Sequence, residues 1–239
     1  MRSLAGVLAL LILGGPAAAE QDAGQVDSMN HMKHMEHTPE MMKGPADGIP
    51  IAVLLYEGAL LLDYGIAAEM FQAANGMQSF RVYTVSRKRE LSASIVGAVQ
   101  ADYTFDDVPT PRVIIVPGGP LWPREAEESE TVEFLKNAQE EGAILFSVCS
   151  GAMLLGKAGF LDGRRVVTIH DGIPMLRQVA PKAQIAAKEW FVDDGNVVTT
   201  AGSGTAMEAT LHLIQRLTSE KIANELAGRY LDYRKWNGD

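Results

Sequence analysis

The stretch Ile144-Leu-Phe-Ser-Val-Cys149-Ser-Gly-Ala-Met-Leu-Leu155 decides how the chain is read. Ala143 to Val148 is a short, mainly apolar run of the length of a buried strand. It passes directly into Cys149-Ser150-Gly151 and then into a helical pattern that runs through Lys157. A strand that turns at once into a helix holds its corner residue in a strained conformation, aimed into the crevice above the sheet. The corner residue here is the only cysteine of the chain. Gly151 lets the turn close tightly. The helix N-terminus behind the thiol favours negative charge and predicts a lowered thiol pKa, and the Ser150 N–H is placed to stabilise an oxyanion. The competing reading is a packed core thiol, which is common for unpaired cysteine; the strand, Cys-Ser-Gly and helix in succession favour a reactive one.

Outward from this elbow the same alternation repeats. Ile51 to Tyr56, Phe80 to Ser86, Val113 to Val116 and Asn196 to Thr200 read as strands. Tyr64 to Ala74, Glu130 to Glu140, Thr205 to Leu217 and Ser219 to Arg229 read as helices. Strands alternating with helices predict an α/β domain with a mostly parallel central sheet and helices on both faces. Ligands of such sheets bind at the carboxyl ends of the strands, so the informative turns are those that follow strands. Asp63 follows the first strand, Gly118 and Gly119 follow Val116, and Cys149 follows Val148. Gly118 and Gly119 let backbone approach a ligand closely and are candidates for a second oxyanion donor. Asp63 reads either as a helix N-cap or as a carboxyl beside the thiol, with a raised pKa, working as general acid and base. Ser150 contacts substrate or merely begins the helix. His170, after Val166-Val167-Thr168, is a candidate proton carrier or a bland surface residue. His212 and Glu208 lie in a helical segment and read as structural, Glu208 as a surface carboxylate.

The ordered pieces resemble the DJ-1/PfpI superfamily, which shares the fold of class I glutamine amidotransferases. They are Leu62-Asp63-Tyr64-Gly65 with Glu69-Met70-Phe71, Val116-Pro-Gly-Gly119, Val148-Cys-Ser-Gly151, Leu155 to Gly163, Thr168-Ile-His170, and Thr200-Ala-Gly-Ser-Gly204 before Leu211-His212-Leu213. The resemblance implies a flavodoxin-like sandwich over residues 49–239, and is nearest in look to isonitrile hydratases and the ligand-sensing domain of AraC-type regulators. Those carry an acidic residue where Asp63 stands, and Cys-Thr-Gly where this chain has Cys149-Ser150-Gly151. Peptidase-like branches often place His directly after the cysteine, where this chain has Ser150. The hydratase-like branch usually reads Thr-Thr-His-Trp, against Thr168-Ile169-His170-Asp171 here, which changes the pocket wall. The resemblance implies no required cofactor and a homodimer of the kind common in the superfamily.

The ends of the chain carry separate signals. Arg2, the apolar run Leu4 to Leu13 and Pro16-Ala-Ala-Ala19 read as a secretory signal over residues 1–19, which predicts a periplasmic or secreted protein with no stable membrane insertion after cleavage. Residues 20–48 read as a flexible Met- and His-rich arm. Within it His31, His34 and His37 alternate with Met32 and Met35, a set of imidazole and thioether ligands suited to copper or another transition metal. The formal net charge of −9 argues against nucleic acid as a partner, and no helix-turn-helix segment follows the α/β domain before Asp239. Three function classes stand: a cysteine-dependent hydratase or hydrolase of small electrophiles, a non-catalytic small-ligand-binding module, and a redox or metal stress protein in which Cys149 oxidises reversibly.

Overall fold

The computed structural model describes residues 44–74, 80–93 and 97–230. The signal segment 1–19, the metal-binding candidates His31, Met32, His34, Met35 and His37, and most of the 20–48 arm lie outside the described residues. All described residues belong to one compact unit, Pro39–Asp239.

Seven strands form the central sheet: β1 (Ile49–Leu54), β2 (Phe80–Ser86), β5 (Tyr103–Thr104), β6 (Val113–Val116), β7 (Ile144–Ser147), β10 (Phe191–Asp193) and β11 (Val197–Thr200), in the order β10-β11-β7-β6-β1-β2-β5. Every neighbouring pair is parallel except β10 with β11. Val113–Val116, Ile144–Ser147 and Val197–Thr200 are buried at every position, which is why they read as continuous runs rather than alternating ones. Two further pairs stand apart from this sheet: the hairpin β3 (Glu90–Ala93) with β4 (Gly97–Gln100), and β8 (Arg165–Val166) with β9 (Gln184–Ile185).

Alternation along β1 divides the core in two. Ile51, Val53 and Leu55 face one cluster with helix α1 (Leu61–Ala73), α6 (Ala206–Leu217) and α7 (Glu220–Tyr230). Ala52, Leu54 and Tyr56 face the other, with α3 (Ser129–Glu140), α4 (Gly151–Lys157) and α5 (Ile173–Val179). Helices therefore cover both faces of a mostly parallel sheet, as expected. A short helix, α2 (Trp122–Glu125), follows the Pro117–Gly119 turn.

The expected helices and large strands are present, with shifted ends. The consequential shift is at α1, which begins at Leu61 rather than Tyr64 and is capped by Leu60 without a side-chain bond. Asp63 is thus inside the first turn, and the N-cap reading is overturned. The chain reverses direction across the sheet at β1, with β2 on one side and β6 on the other. That is a topological switch point, above which open α/β sheets hold their ligands. The turns after β1, β6, β7 and β11 rise side by side there. Phe71 of α1 is fully buried and packs edge-on to Phe80 of β2 at 5.0 Å. Phe71→Ala is expected to destabilise the fold by about 3–5 kcal/mol in urea unfolding, by transfer and cavity costs together.

Candidate functional site

Among the described residues Cys149 is the only non-glycine with positive φ, at 57°, a conformation that costs an L-residue free energy and persists only where its surroundings enforce it. Three contacts do so. The Val148 N–H bonds the Val116 carbonyl at 3.0 Å, which ties the end of β7 to β6. The Thr168 hydroxyl donates to the Cys149 carbonyl at 2.8 Å. Gly151 lies so close to β6 that a Cβ there would stand 2.1 Å from the Val116 oxygen. The sequence reading of a tight elbow at Gly151 thus has a steric reason.

Asp63, with no solvent exposure, approaches the elbow from α1. Its Oδ2 accepts the Gly118 N–H at 2.9 Å, its Oδ1 accepts the Ser203 hydroxyl, and it is hydrogen-bonded to the Cys149 thiol. Burial raises the carboxyl above its usual range, and the bonds from Ser203, Gly118 and Cys149 oppose that rise. The thiol behaves differently from the sequence expectation. It is pushed up to about 11, by burial first and by the negative charge of Asp63 second, against hydrogen bonds from the Ser150 N–H and hydroxyl. A helix N-terminus of only seven residues does not outweigh a buried carboxylate in contact. At neutral pH the thiol therefore keeps its proton.

Gly118 and Gly119 have no room for a side chain. A Cβ on Gly118 would meet Ser150 Oγ at 2.3 Å and Asp63 Oδ2 at 2.6 Å, and one on Gly119 would meet the Gly58 oxygen at 2.4 Å. Their N–H groups are already engaged, Gly118 with Asp63 and Gly119 with Ser150 Oγ at 3.1 Å. In this arrangement they orient the acid and the serine rather than offering free oxyanion donors.

Asp63, Gly118, Gly119, Cys149 and Ser150 are thus brought together, and His170 is not. His170 is exposed on a 3-10 turn, His170–Gly172, and makes none of these bonds. His212 pairs instead with Asp193 at 2.7 Å. Glu208 is half-buried rather than on the surface, and its Oε2 is buried without a hydrogen-bond partner. Two contributors escaped the sequence reading. Ser203 sits in a Gly-Ser-Gly turn that reads only as a turn. Tyr56 ends an apolar strand and reads as core, yet its hydroxyl donates to the Pro117 carbonyl at 3.0 Å and braces the turn that carries Gly118. Burial, then Asp63, Glu125 and Cys149, raise its phenol well above the ordinary value, so it stays protonated. Among the described residues no cluster of three or more His, Cys, Asp or Glu side chains is arranged to hold a metal ion, and no helix is long and apolar enough to cross a membrane.

Because the folded-state pKa of Asp63 lies above its ordinary 3.8, its contribution to stability is present while it is protonated and is lost as pH rises through the folded value. Asp63→Asn is therefore expected to abolish the fall in melting temperature that wild type shows as pH rises through the folded Asp63 value, and to lower the thiol from about 11. Thermal unfolding against pH and the pH dependence of alkylation, which reports on one thiol because the chain has one cysteine, check both.

The isonitrile hydratase of Pseudomonas putida is 34% identical over 133 residues, covering 54% of this chain and 55% of the relative. The HTH-type transcriptional regulator GbdR of Pseudomonas aeruginosa is 26% identical over 185 residues, covering 76% of this chain and 50% of the regulator. The chain therefore spans about half the length of these two curated relatives. In fold, the crystal structure of Drosophila melanogaster DJ-1beta superposes with a TM-score of 0.68 at 22% identity, covering 77% of this chain and 98% of that one. An AraC family transcriptional regulator from Pseudomonas putida superposes with a TM-score of 0.63 at 22% identity, covering 74% and 96%. The profile of the DJ-1/PfpI family matches residues 50–216, and the chain belongs to that family.

Proposed function

We propose that this protein is a cysteine-dependent hydratase of small electrophilic substrates, with isonitriles as the first class to test, and that it acts outside the cytosol. The observation that carries the reading is the strained Cys149 hydrogen-bonded to a fully buried Asp63. The likeness to the Pseudomonas putida isonitrile hydratase supports the substrate class. The export part rests on the signal pattern of residues 1–19.

In this reading the thiol is protonated at rest and Asp63 acts first as general base. Sulfur attacks the terminal carbon of R–N≡C while Asp63 takes the thiol proton and passes it to the substrate, giving the thioimidate Cys149–S–CH=N–R. Asp63 then takes a proton from water, whose oxygen adds to the same carbon, and delivers that proton to the nitrogen. Collapse of the adduct breaks the C–S bond as Asp63 carries the hydroxyl proton to sulfur, and releases the N-substituted formamide. Substrate and water sum to product, and no redox partner is needed. The Ser150 N–H and hydroxyl, directed at sulfur, steady the charge that develops there.

A second reading has its own support. The match to a transcriptional regulator over 76% of this chain favours a small-ligand-binding module that uses the same crevice without turnover. A homodimer, and a metal-binding role for the arm around His31, His34 and His37, remain companion proposals that rest on resemblance and residue pattern.

Formation of the formamide from a simple alkyl isonitrile, followed through its formyl proton by NMR, decides between the readings. Wild type is expected to turn over, Cys149→Ala to fall to the uncatalysed rate, and Asp63→Asn to lose about 10²–10⁴-fold. Saturable binding with no formamide, or Cys149→Ala equal to wild type, sinks the hydratase reading.

A further inference from the structure

Ser203 reaches Asp63 across 140 positions of sequence, from the turn that follows β11. We propose that Ser203 is a positioning residue whose hydroxyl, donated to Asp63 Oδ1, keeps the proton of the Cys149–Asp63 pair on sulfur. The inference rests on the reading of Cys149 and Asp63 as the reacting pair, and it is independent of which substrate they act on.

The buried carboxylate has three donors: the Gly118 N–H on Oδ2, the Ser203 hydroxyl on Oδ1, and the thiol. The Gly118 donor belongs to the main chain, in a turn braced by Tyr56. Ser203 is the donor that a side-chain change removes cleanly. The surrounding charges do not replace it. β1 and β6 carry no ionisable residue. On β2, Arg81 is a charged residue and Tyr83 is bonded to the Pro109 carbonyl. On α6, His212 and Arg216 are tied to Asp193, which leaves Glu208 as the remaining charge of that helix. Glu69 lies on α1 itself, and the titratable groups that face Asp63 are Cys149 and Tyr56.

The shared proton has two resting places, thiol with carboxylate or thiolate with carboxylic acid. A charge-assisted bond from Ser203 stabilises only the first. Removing it has two coupled effects. The singly ionised pair forms at higher pH, and once formed it contains more thiolate. Fully protonated pairs are unaffected, because both forms of the sulfur then face a neutral Asp63.

The test is the rate of Cys149 alkylation by iodoacetamide against pH, in the full chain. At the acid end Ser203→Ala and wild type are expected to coincide. Wild type then levels off, while Ser203→Ala continues upward for about one further pH unit and levels about tenfold higher, as expected for one hydrogen bond to a charged group. Ser203→Thr, which keeps the hydroxyl, is expected to restore the wild-type plateau. In an Asp63→Asn background Ser203→Ala is expected to change nothing. A Ser203→Ala plateau within about twofold of wild type, or an equal rise in the Asp63→Asn background, overturns the proposal. A wild type that makes no formamide but gives the expected alkylation profiles overturns the hydratase reading and leaves this one standing.

Discussion

A carboxylate with no exposure to water has to be held by something, and the holding of Asp63 organises the top of this sheet. The donors come from three distant places: Gly118 after β6, Ser203 after β11 and the thiol after β7. Because the corresponding strands are hydrogen-bonded neighbours in a fixed register, their turns converge on one point. The sheet supplies the precision, and the turns supply the chemistry.

The same crowding explains the absent side chains. Gly118 leaves no space between Asp63 and Ser150, and Gly151 none beside the Val116 carbonyl. The strained φ of Cys149 is offset by these close approaches and by the Thr168 bond to its carbonyl. A thiol kept protonated by its neighbours is not a standing nucleophile. Under the proposed function it becomes one only when a substrate is near enough to accept the attack and Asp63 can take the proton in the same step.

Much of this was legible in the residues. Wholly buried runs such as Val113–Val116 announce a parallel sheet, and the passage from Val148 through Gly151 marks the elbow. Asp63, Gly118 and Ser150 lie together with Cys149, and each draws attention in the residues alone because it follows a strand end. The illegible parts have physical reasons. The Ser203 contact joins positions 140 apart, and nothing local to a Gly-Ser-Gly turn points to a partner. The role of Tyr56 lies in one hydroxyl at the tip of a side chain otherwise buried in the core. The direction of the thiol pKa depends on a contest between burial, a carboxylate and a short helix, which only the packed structure decides. The β3–β4 hairpin lay outside the main alternation and gave no comparable signal.

The chain order of the contributors has a consequence for biogenesis. Asp63, Gly118 and Cys149 are synthesised in that sequence, and Ser203 comes last, on the turn beyond the strand that pairs with β7. Pairing of β11 with β7 is long-range and is therefore slow to form compared with local structure. A nascent or incompletely folded chain thus has its elbow segment before it has the full clamp on the acid. The Ser203 donor to Asp63 is absent until β11 has joined β7, so the surroundings of Cys149 are complete only when the last parallel strand of the sheet is in place.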